Sequence, residues 1–365
     1  MAYPQVLSFG EALIRYCPVD PEKEGTGYPS HLATFYRSVG GDELNVCVAL
    51  SRLGRKALFV SALPGGPLAG AVADSADRAG VEMVLHRATG DVGAFTVLPQ
   101  ERRVHYHRAH SVFCTLPAGA GIFDWQEVFE FVGWVHSTGI TPLLGPGPCF
   151  HWKEHLTQAA ARKIRISLDL NHRPALGTLE KLYEIVEPHL KDCEVVILSV
   201  VQVAGLIHLL GLAKDAPVPH TPERPQDLDD SDEGPWIACL AALARWWQGP
   251  LVACCFKTRT PAGEQRRWSV AVSREGRVAT SKAAVVVHYP IEETGGGSAW
   301  AAGFVDAMLN QPAAGMDGVE EALRRADVMA ALTQRYMGDH STTSREELQE
   351  VEARLGASGG TISKL

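Results

Sequence analysis

The chain has 365 residues, enough for one large core or a domain with a lid. Its 46% hydrophobic and 21% charged content is that of an ordinary globular protein. A formal net charge of −8 argues against nucleic acid as a general partner, because no basic excess exists to neutralise phosphates.

Met1-Ala2-Tyr3-Pro4-Gln5 is not a basic stretch leading into a long apolar run, so no signal peptide is expected. No apolar run is long enough to cross a bilayer, and a cytoplasmic location is the expectation. Val6 to Gly10 reads as the first strand, Glu43 to Leu53 as a helix stopped by Gly54, Leu58 to Ser61 as a strand, and Ala69 to Arg78 as a helix closed by Gly80. Val92 to Leu98 and Arg103 to His107 read as a strand pair outside this rhythm. With the segment around Arg15 and Tyr16 they could form a small β lid, drawn from about 12–38 and 90–115. Further strands are expected at Val132 to Ser137, Ile164 to Leu170, Val195 to Ser199, Leu251 to Phe256, Ser269 to Val272 and Ala284 to Val287. Short strands alternating with helices predict an α/β fold with a mostly parallel sheet.

The Pro- and Asp-rich stretch from about 213 to 235 reads as an exposed acidic insertion with the composition of a disordered segment. A polar-faced helix is expected from Ser344 to Leu355, with a loose tail over 356–365, so that one domain spans 1–355. The eight cysteines are scattered without a C-x-x-C pair and read as small buried hydrophobes in a reducing compartment rather than as disulfides or a zinc site.

The stretch richest in chemistry is Glu293-Thr294-Gly295-Gly296-Gly297-Ser298, running into Ala299-Trp300-Ala301-Ala302-Gly303-Phe304. By itself a glycine triplet reads as a turn before a helix. Such a loop can also turn its N–H groups inward at a helix N-terminus, where the dipole favours an anion. A second motif is Val39-Gly40-Gly41-Asp42-Glu43-Leu44-Asn45, continuing to Arg52-Leu53-Gly54. Taken alone it is a helix start with Asp42 as a first-turn charge complementing the dipole. His105, His107 and His110 are close in sequence, but no nearby acid or thiol completes a tetrahedral set, and they read as surface residues of the lid rather than a metal site.

The two glycine motifs, in this order near opposite ends, resemble the signatures of the ribokinase-like (PfkB) carbohydrate kinases, D-T-x-G-A-G-D-x-F-x-A-G-F and G-G-x-x-x-N-x-A-x-x-L-x-R-L-G. The chain is most similar to the 2-keto-3-deoxygluconate kinases. Tyr106-His107-Arg108 resembles their Y-x-R lid segment, Asp169-Leu170-Asn171-His172-Arg173-Pro174 their D-x-N-x-R-P, Trp134 to Ile140 their S-G-I strand end, and Met337-Gly338-Asp339 through Arg345-Glu346-Glu347 their C-terminal segment. The resemblance implies a ribokinase-like three-layer α/β/α sandwich with a mostly parallel central sheet and a small β lid, and ATP-dependent phosphorylation of a keto-sugar acid, with Mg2+ bridging the phosphates. It implies that Gly40, Gly41, Asn45, Tyr106, Arg108 and Arg173 bind the substrate. The nucleotide would lie against Lys257, Gly263, Thr294, Gly295 and Gly297, and Gly295, Gly296 and Gly297 would form the anion hole. A guanidinium beside a phenol suits a carboxylated sugar, because arginine grips a carboxylate bidentately. A homodimer through the lid is a further expectation; a membrane or nucleic-acid partner is not.

The family's catalytic base, the last Asp of the glycine loop, is here Ser298. A serine hydroxyl is not basic at neutral pH, and loss of a positioned base costs roughly 10²–10⁴ in rate. Other departures cluster around the nucleotide. The N-x-x-E motif reads Ser199-Val200-Val201-Gln202, the G-D-D-P-F-G turn reads Pro64 to Ala69 without acids, and the Asp-Thr opening of the loop is Glu292-Glu293. Two readings stay open: a kinase in which another acid such as Glu293 or Asp339 supplies the base, and a pseudokinase that binds a sugar acid as a sensor or partner subunit.

Overall fold

The computed structural model describes residues 5–18, 34–98, 103–220, 233–260, 263–282, 286–310 and 315–357. Along the chain, β1 (Gln5–Phe9), β2 (Leu13–Pro18) and β3 (Phe35–Gly40) precede α1 (Asp42–Arg52), β4 (Ala57–Leu63) and α2 (Pro67–Ala79). Then come β5 (Glu82–Arg87), β6 (Gly93–Leu98), β7 (Arg103–His107) and a single turn, α3 (Trp125–Val128). The middle alternates β8 (Val132–Thr138), α4 (Pro146–Ala161), β9 (Arg165–Asp169), α5 (Leu179–Leu190), β10 (Val195–Ser199) and α6 (Val200–Leu209). After α7 (Gly234–Trp247) follow β11 (Leu251–Arg259), β12 (Gln265–Val272), β13 (Val278–Thr280) and β14 (Val286–His288). The chain closes on α8 (Gly296–Asn310), α9 (Met316–Thr333) and α10 (Arg345–Ala357).

The large sheet runs β13-β12-β11-β10-β9-β8-β1-β4-β5, with β14 also paired to β12. Its strands from β11 to β5 are parallel and its β12, β13 and β14 edge is antiparallel. The parallel strands inside the β5 edge are mostly buried and rich in apolar residues, as strands covered on both faces tend to be. One face packs side chains such as Trp152, Leu182, Val203 and Leu240 from α4 to α7. The other packs Val46 and Leu50 of α1, Trp300 and Phe304 of α8, and Ala326 and Val328 of α9. The α/β/α layering and mostly parallel sheet bear out the fold expected from the sequence.

A second sheet, β3-β2-β6-β7, is the small lid. Val92 to Leu98 and Arg103 to His107 are indeed paired, as antiparallel β6 and β7, and the Arg15 region joins them as β2. Sequence reading did not separate β3 or the edge strand β5, both half-exposed and without a continuous apolar run. The expected strand at Ala284 to Val287 appears as Val286–His288; residues 284–285 lie outside the described residues. Most of the acidic insertion, 221–232, and the tail from 358 also lie outside them. Among the described residues no helix is long and apolar enough to cross a membrane.

Strand order places the site. From β1 the chain winds one way through β4 and β5, and from β8 the other way through β9, β10 and β11. The reversal between β1 and β8 opens a crevice beyond the carboxyl ends of the strands, where ligands bind in open α/β sheets. The start of α1 plugs it: Glu43 accepts hydrogen bonds from Thr138 and Thr141 just past β8, each at 2.7 Å.

Candidate active site

Four segments meet at this crevice: the turns after β1 and β9, the first turn of α1, and the loop entering α8. The β3–α1 turn runs tight against the first of them. Gly41 has φ 133°, and a Cβ there would lie 2.3 Å from the carbonyl oxygen of Glu11. Only glycine permits both the conformation and the approach. Gly40 ends β3 beside the Asp339 carboxylate. Asn45, one turn into α1, is 5% exposed, and its Oδ1 is buried without a hydrogen-bond partner. An unpaired buried amide oxygen is a costly arrangement that a ligand donor would relieve.

The glycine loop turns sharply into the start of α8. Gly295 has φ 75°, and a Cβ there would lie 2.3 Å from the Asp339 carbonyl oxygen, so the loop can reach α8 only through glycine. Gly296 and Gly297 form the first residues of α8, whose leading N–H groups have no intrahelical acceptor. Gly297 is exposed, with open space where a Cβ would project. Thr294 lies half-buried just before it.

Ser298 is 5% exposed and its hydroxyl donates to Oδ1 of Asp42. The other Asp42 oxygen accepts from Asn171 Nδ2. Asn171 is held at φ 38°, and its backbone N–H donates at 2.9 Å to Asp169 Oδ1, a side-chain-to-backbone turn of the kind Asp favours. A continuous chain therefore runs Asp169, Asn171, Asp42, Ser298. Burial, then the nearby Asp42 charge, raises Asp169 to about 7, and the same two causes raise Glu43 to about 7. The sequence marked Asp42 only as a helix-dipole residue. It does occupy the first turn, but its link to Ser298 spans 256 positions and no local signal could have shown it.

The other acids near the loop are already engaged. Glu292 and Asp339 both pair with the buried Arg15 of β2, and Glu292 also accepts from the Gly338 N–H at 2.8 Å. Burial raises Asp339 to about 6 against the opposing Arg15 charge. Glu293 pairs with Arg259 at the end of β11, which offsets the negative charge the sequence places beside the anion loop. Gln202 forms a capping box with Ser199 at the start of α6, so the residue at the lost acid position serves a helix end.

On the lid, Tyr106 and Arg108 share a face, as strand alternation predicts: Tyr106 stacks on Phe95 with ring centroids 5.7 Å apart, and the Arg108 guanidinium sits 4.1 Å from the Tyr106 centroid. Arg108 is not free, because it pairs with the buried Glu11. Arg173, exposed after β9 and close enough to Tyr106 to act on its phenol, forms no ion pair among the described residues. Lys257 faces Asp169 and Glu293, and burial, then the Arg267 charge, lowers its ammonium to about 8. Gly263 sits in the β11–β12 connection with φ 86° and nothing near its Cβ position. His105, His107 and His110 are exposed, and among the described residues no group of three His, Cys, Asp or Glu could hold a metal.

The model of the pfkB family carbohydrate kinases matches residues 4–188, about half of the chain. The chain belongs to the pfkB family of carbohydrate kinases. A 2-dehydro-3-deoxygalactonokinase of Haloferax volcanii is 28% identical over 219 residues, covering 58% of this chain and 65% of the relative, so the match spans just under two thirds of that protein. Among solved structures, a 2-dehydro-3-deoxygluconokinase from Thermotoga maritima superposes with a TM-score of 0.79 at 22% identity, covering 96% of this chain and 98% of that one. A fructokinase with bound ATP from Xylella fastidiosa gives 0.67 at 19% identity, covering 96% and 99%. In this pfkB chain the glycine motifs thus frame one crevice, with a serine and a carboxylate hydrogen-bonded where the first turn of α1 meets that of α8.

Proposed function

We propose that the chain transfers the γ-phosphoryl group of ATP to a hydroxyl of a keto-sugar acid of the 2-keto-3-deoxygluconate or 2-keto-3-deoxygalactonate type. The observation that carries this reading is the exposed Arg173 guanidinium, close to Tyr106 and without an ion pair among the described residues, in a chain whose Gly295 to Gly297 turn heads α8. That turn suits the transferred phosphate, whose charge spreads over its equatorial oxygens in the transition state. Arg173, with the Tyr106 phenol beside it, suits the substrate carboxylate. Asn45 Oδ1 awaits a sugar hydroxyl, and Gly40 and Gly41 seat the backbone that carries it against Asp339 and Glu11. Arg108 acts in this scheme as a brace for Glu11 and Tyr106 rather than as the carboxylate grip. Lys257 and Thr294 lie where they would face the nucleotide phosphates.

The donor set does not fit a protein-held Mg2+. Gln202 is neutral and occupied, Glu292, Glu293 and Asp339 are paired with arginines, Asp42 is held by Ser298 and Asn171, and no group of three His, Cys, Asp or Glu that could hold a metal is present among the described residues. Magnesium commonly keeps several waters and rides on substrate phosphates. The second reading, a sugar-acid-binding pseudokinase, is favoured by Ser298 at the base position. Mass spectrometry of mixtures containing magnesium, ATP and each of the two sugar acids decides between them. A phosphorylated sugar supports the kinase. Sugar-acid binding by calorimetry without product supports the pseudokinase. Exposed Phe35, Tyr36 and Val104 on the lid support a second copy of the chain as partner, which light scattering would detect as a doubled mass.

A further inference from the structure

The kinase reading leaves one chemical requirement open, on which the following inference rests. The attacking hydroxyl must give up a proton, and a serine cannot keep it. We propose that Ser298 and Asp42 act as a relay, Ser298 taking the proton of the sugar hydroxyl while passing its own to Asp42.

The step balances. The sugar oxygen forms its bond to the γ-phosphorus as the bond from phosphorus to the bridging oxygen of ADP breaks. The hydroxyl proton moves to Ser298 Oγ, and the Ser298 proton moves to Asp42 Oδ1. Serine ends as it began, Asp42 ends protonated, and the negative charge leaves with ADP and the new phosphate ester. Ser298 never needs to be a base in its own right, since proton loss and gain at its oxygen are concerted.

Four observations single out Asp42. Its carboxylate is the acceptor of the Ser298 hydroxyl. It carries no ion pair among the described residues, whereas Glu11, Glu292, Glu293 and Asp339 are each held by an arginine. Glu43 is closed in by Thr138 and Thr141. Asn171 holds the far oxygen of Asp42, which fixes the near one toward Ser298. The open space at Gly297 and the unpaired buried Asn45 Oδ1 place ligand room beside the pair. The carboxylate has in effect moved from the start of α8 to the start of α1.

A carboxylate-swap experiment tests this. Native protein, Asp42→Asn, Ser298→Asp and the double variant D42N/S298D are compared for kcat and KM with magnesium-ATP and the sugar acid, after circular dichroism confirms that each is folded. Asp42→Asn keeps the shape of the side chain and should lower kcat by roughly 10²–10⁴ while KM for the sugar acid moves only a few-fold. The double variant, with its carboxylate back on α8, should recover at least about tenfold of that loss. A merely structural Asp42 would not be rescued this way. Native turnover with Asp42→Asn within threefold of it overturns the relay and leaves the kinase reading intact. A loss in Asp42→Asn that the double variant does not recover also overturns it, reducing Asp42 to a positioning role. A silent native chain beside an active Ser298→Asp shows that the pair is no base. Silence from all four proteins removes the kinase reading and the relay with it.

Discussion

Asp306 lies on α8 with no solvent exposure, and three arginines converge on it: Arg55 Nε at 2.6 Å, Arg345 Nη2 at 2.7 Å and Arg325 Nη1 at 3.0 Å. Replacing it by alanine does not strand all three. Arg325 keeps Glu352 at 2.7 Å, and Arg345 keeps the Leu53 carbonyl at 2.7 Å. Arg55, whose side chain is 2% exposed, also donates to the Asp306 carbonyl and to Asn310. The Arg55–Asp306 pair is itself fully buried, and breaking such a pair by removing one partner costs about 3–5 kcal/mol. Burial pushes the Asp306 carboxyl up, but the Arg345 hydrogen bond and the Arg55 charge outweigh it and hold it below 3.8. A depressed folded-state value means the contribution is complete above the unfolded Asp value, about 3.9, and fades as pH falls through the folded one. Urea unfolding, followed by tryptophan fluorescence and circular dichroism together, should show Asp306→Ala destabilised by about 3–5 kcal/mol at pH 7 and by clearly less at pH 3. Because Asp306 is ten residues along α8 from Gly296, roughly 15 Å away, kcat at a permissive temperature should barely change. A loss under about 1 kcal/mol at pH 7, the size of an ordinary exposed ion pair, would refute the reasoning.

Arg173→Ala should raise KM for the sugar acid about 10- to 100-fold, the value of a charge-assisted hydrogen bond, with kcat little altered; steady-state kinetics showing an unchanged KM would remove Arg173 from the substrate site. Arg108→Ala should act mainly on stability, because it leaves Glu11 buried and unpaired. Asp169, raised to about 7, loses stabilisation as pH climbs from about 4 toward 7, since the unfolded chain releases that proton earlier. Asp169→Asn should therefore gain on the native protein between pH 5 and pH 8 in denaturant midpoint. A difference independent of pH contradicts the assigned burial. His136, His155 and His340, lowered to about 4, 3 and 4 mainly by burial, tilt stability the other way in both proteins and cancel from the comparison.

Local chemistry along the chain determined much of this protein. Short runs rich in apolar residues marked the parallel strands β1, β4, β8, β9, β10 and β11, because a strand covered on both faces buries most of its side chains. Gly80 closed α2 in the left-handed region at φ 78°, and the two glycine motifs marked the turns where backbone passes against backbone. What local pattern could not supply was which charges meet. Arg108 has the spacing of a carboxylate grip, but Glu11 at the end of β1 reaches it first. Glu293 looks like a charge against phosphate until Arg259 covers it. Gln202 looks like a lost metal ligand and proves to be half of a helix cap. Above all, Asp42 and Ser298 head two helices whose meeting depends on the sheet reversing direction between β1 and β8. A hydrogen bond between side chains 256 positions apart is set by topology and close packing, which no short stretch of sequence carries.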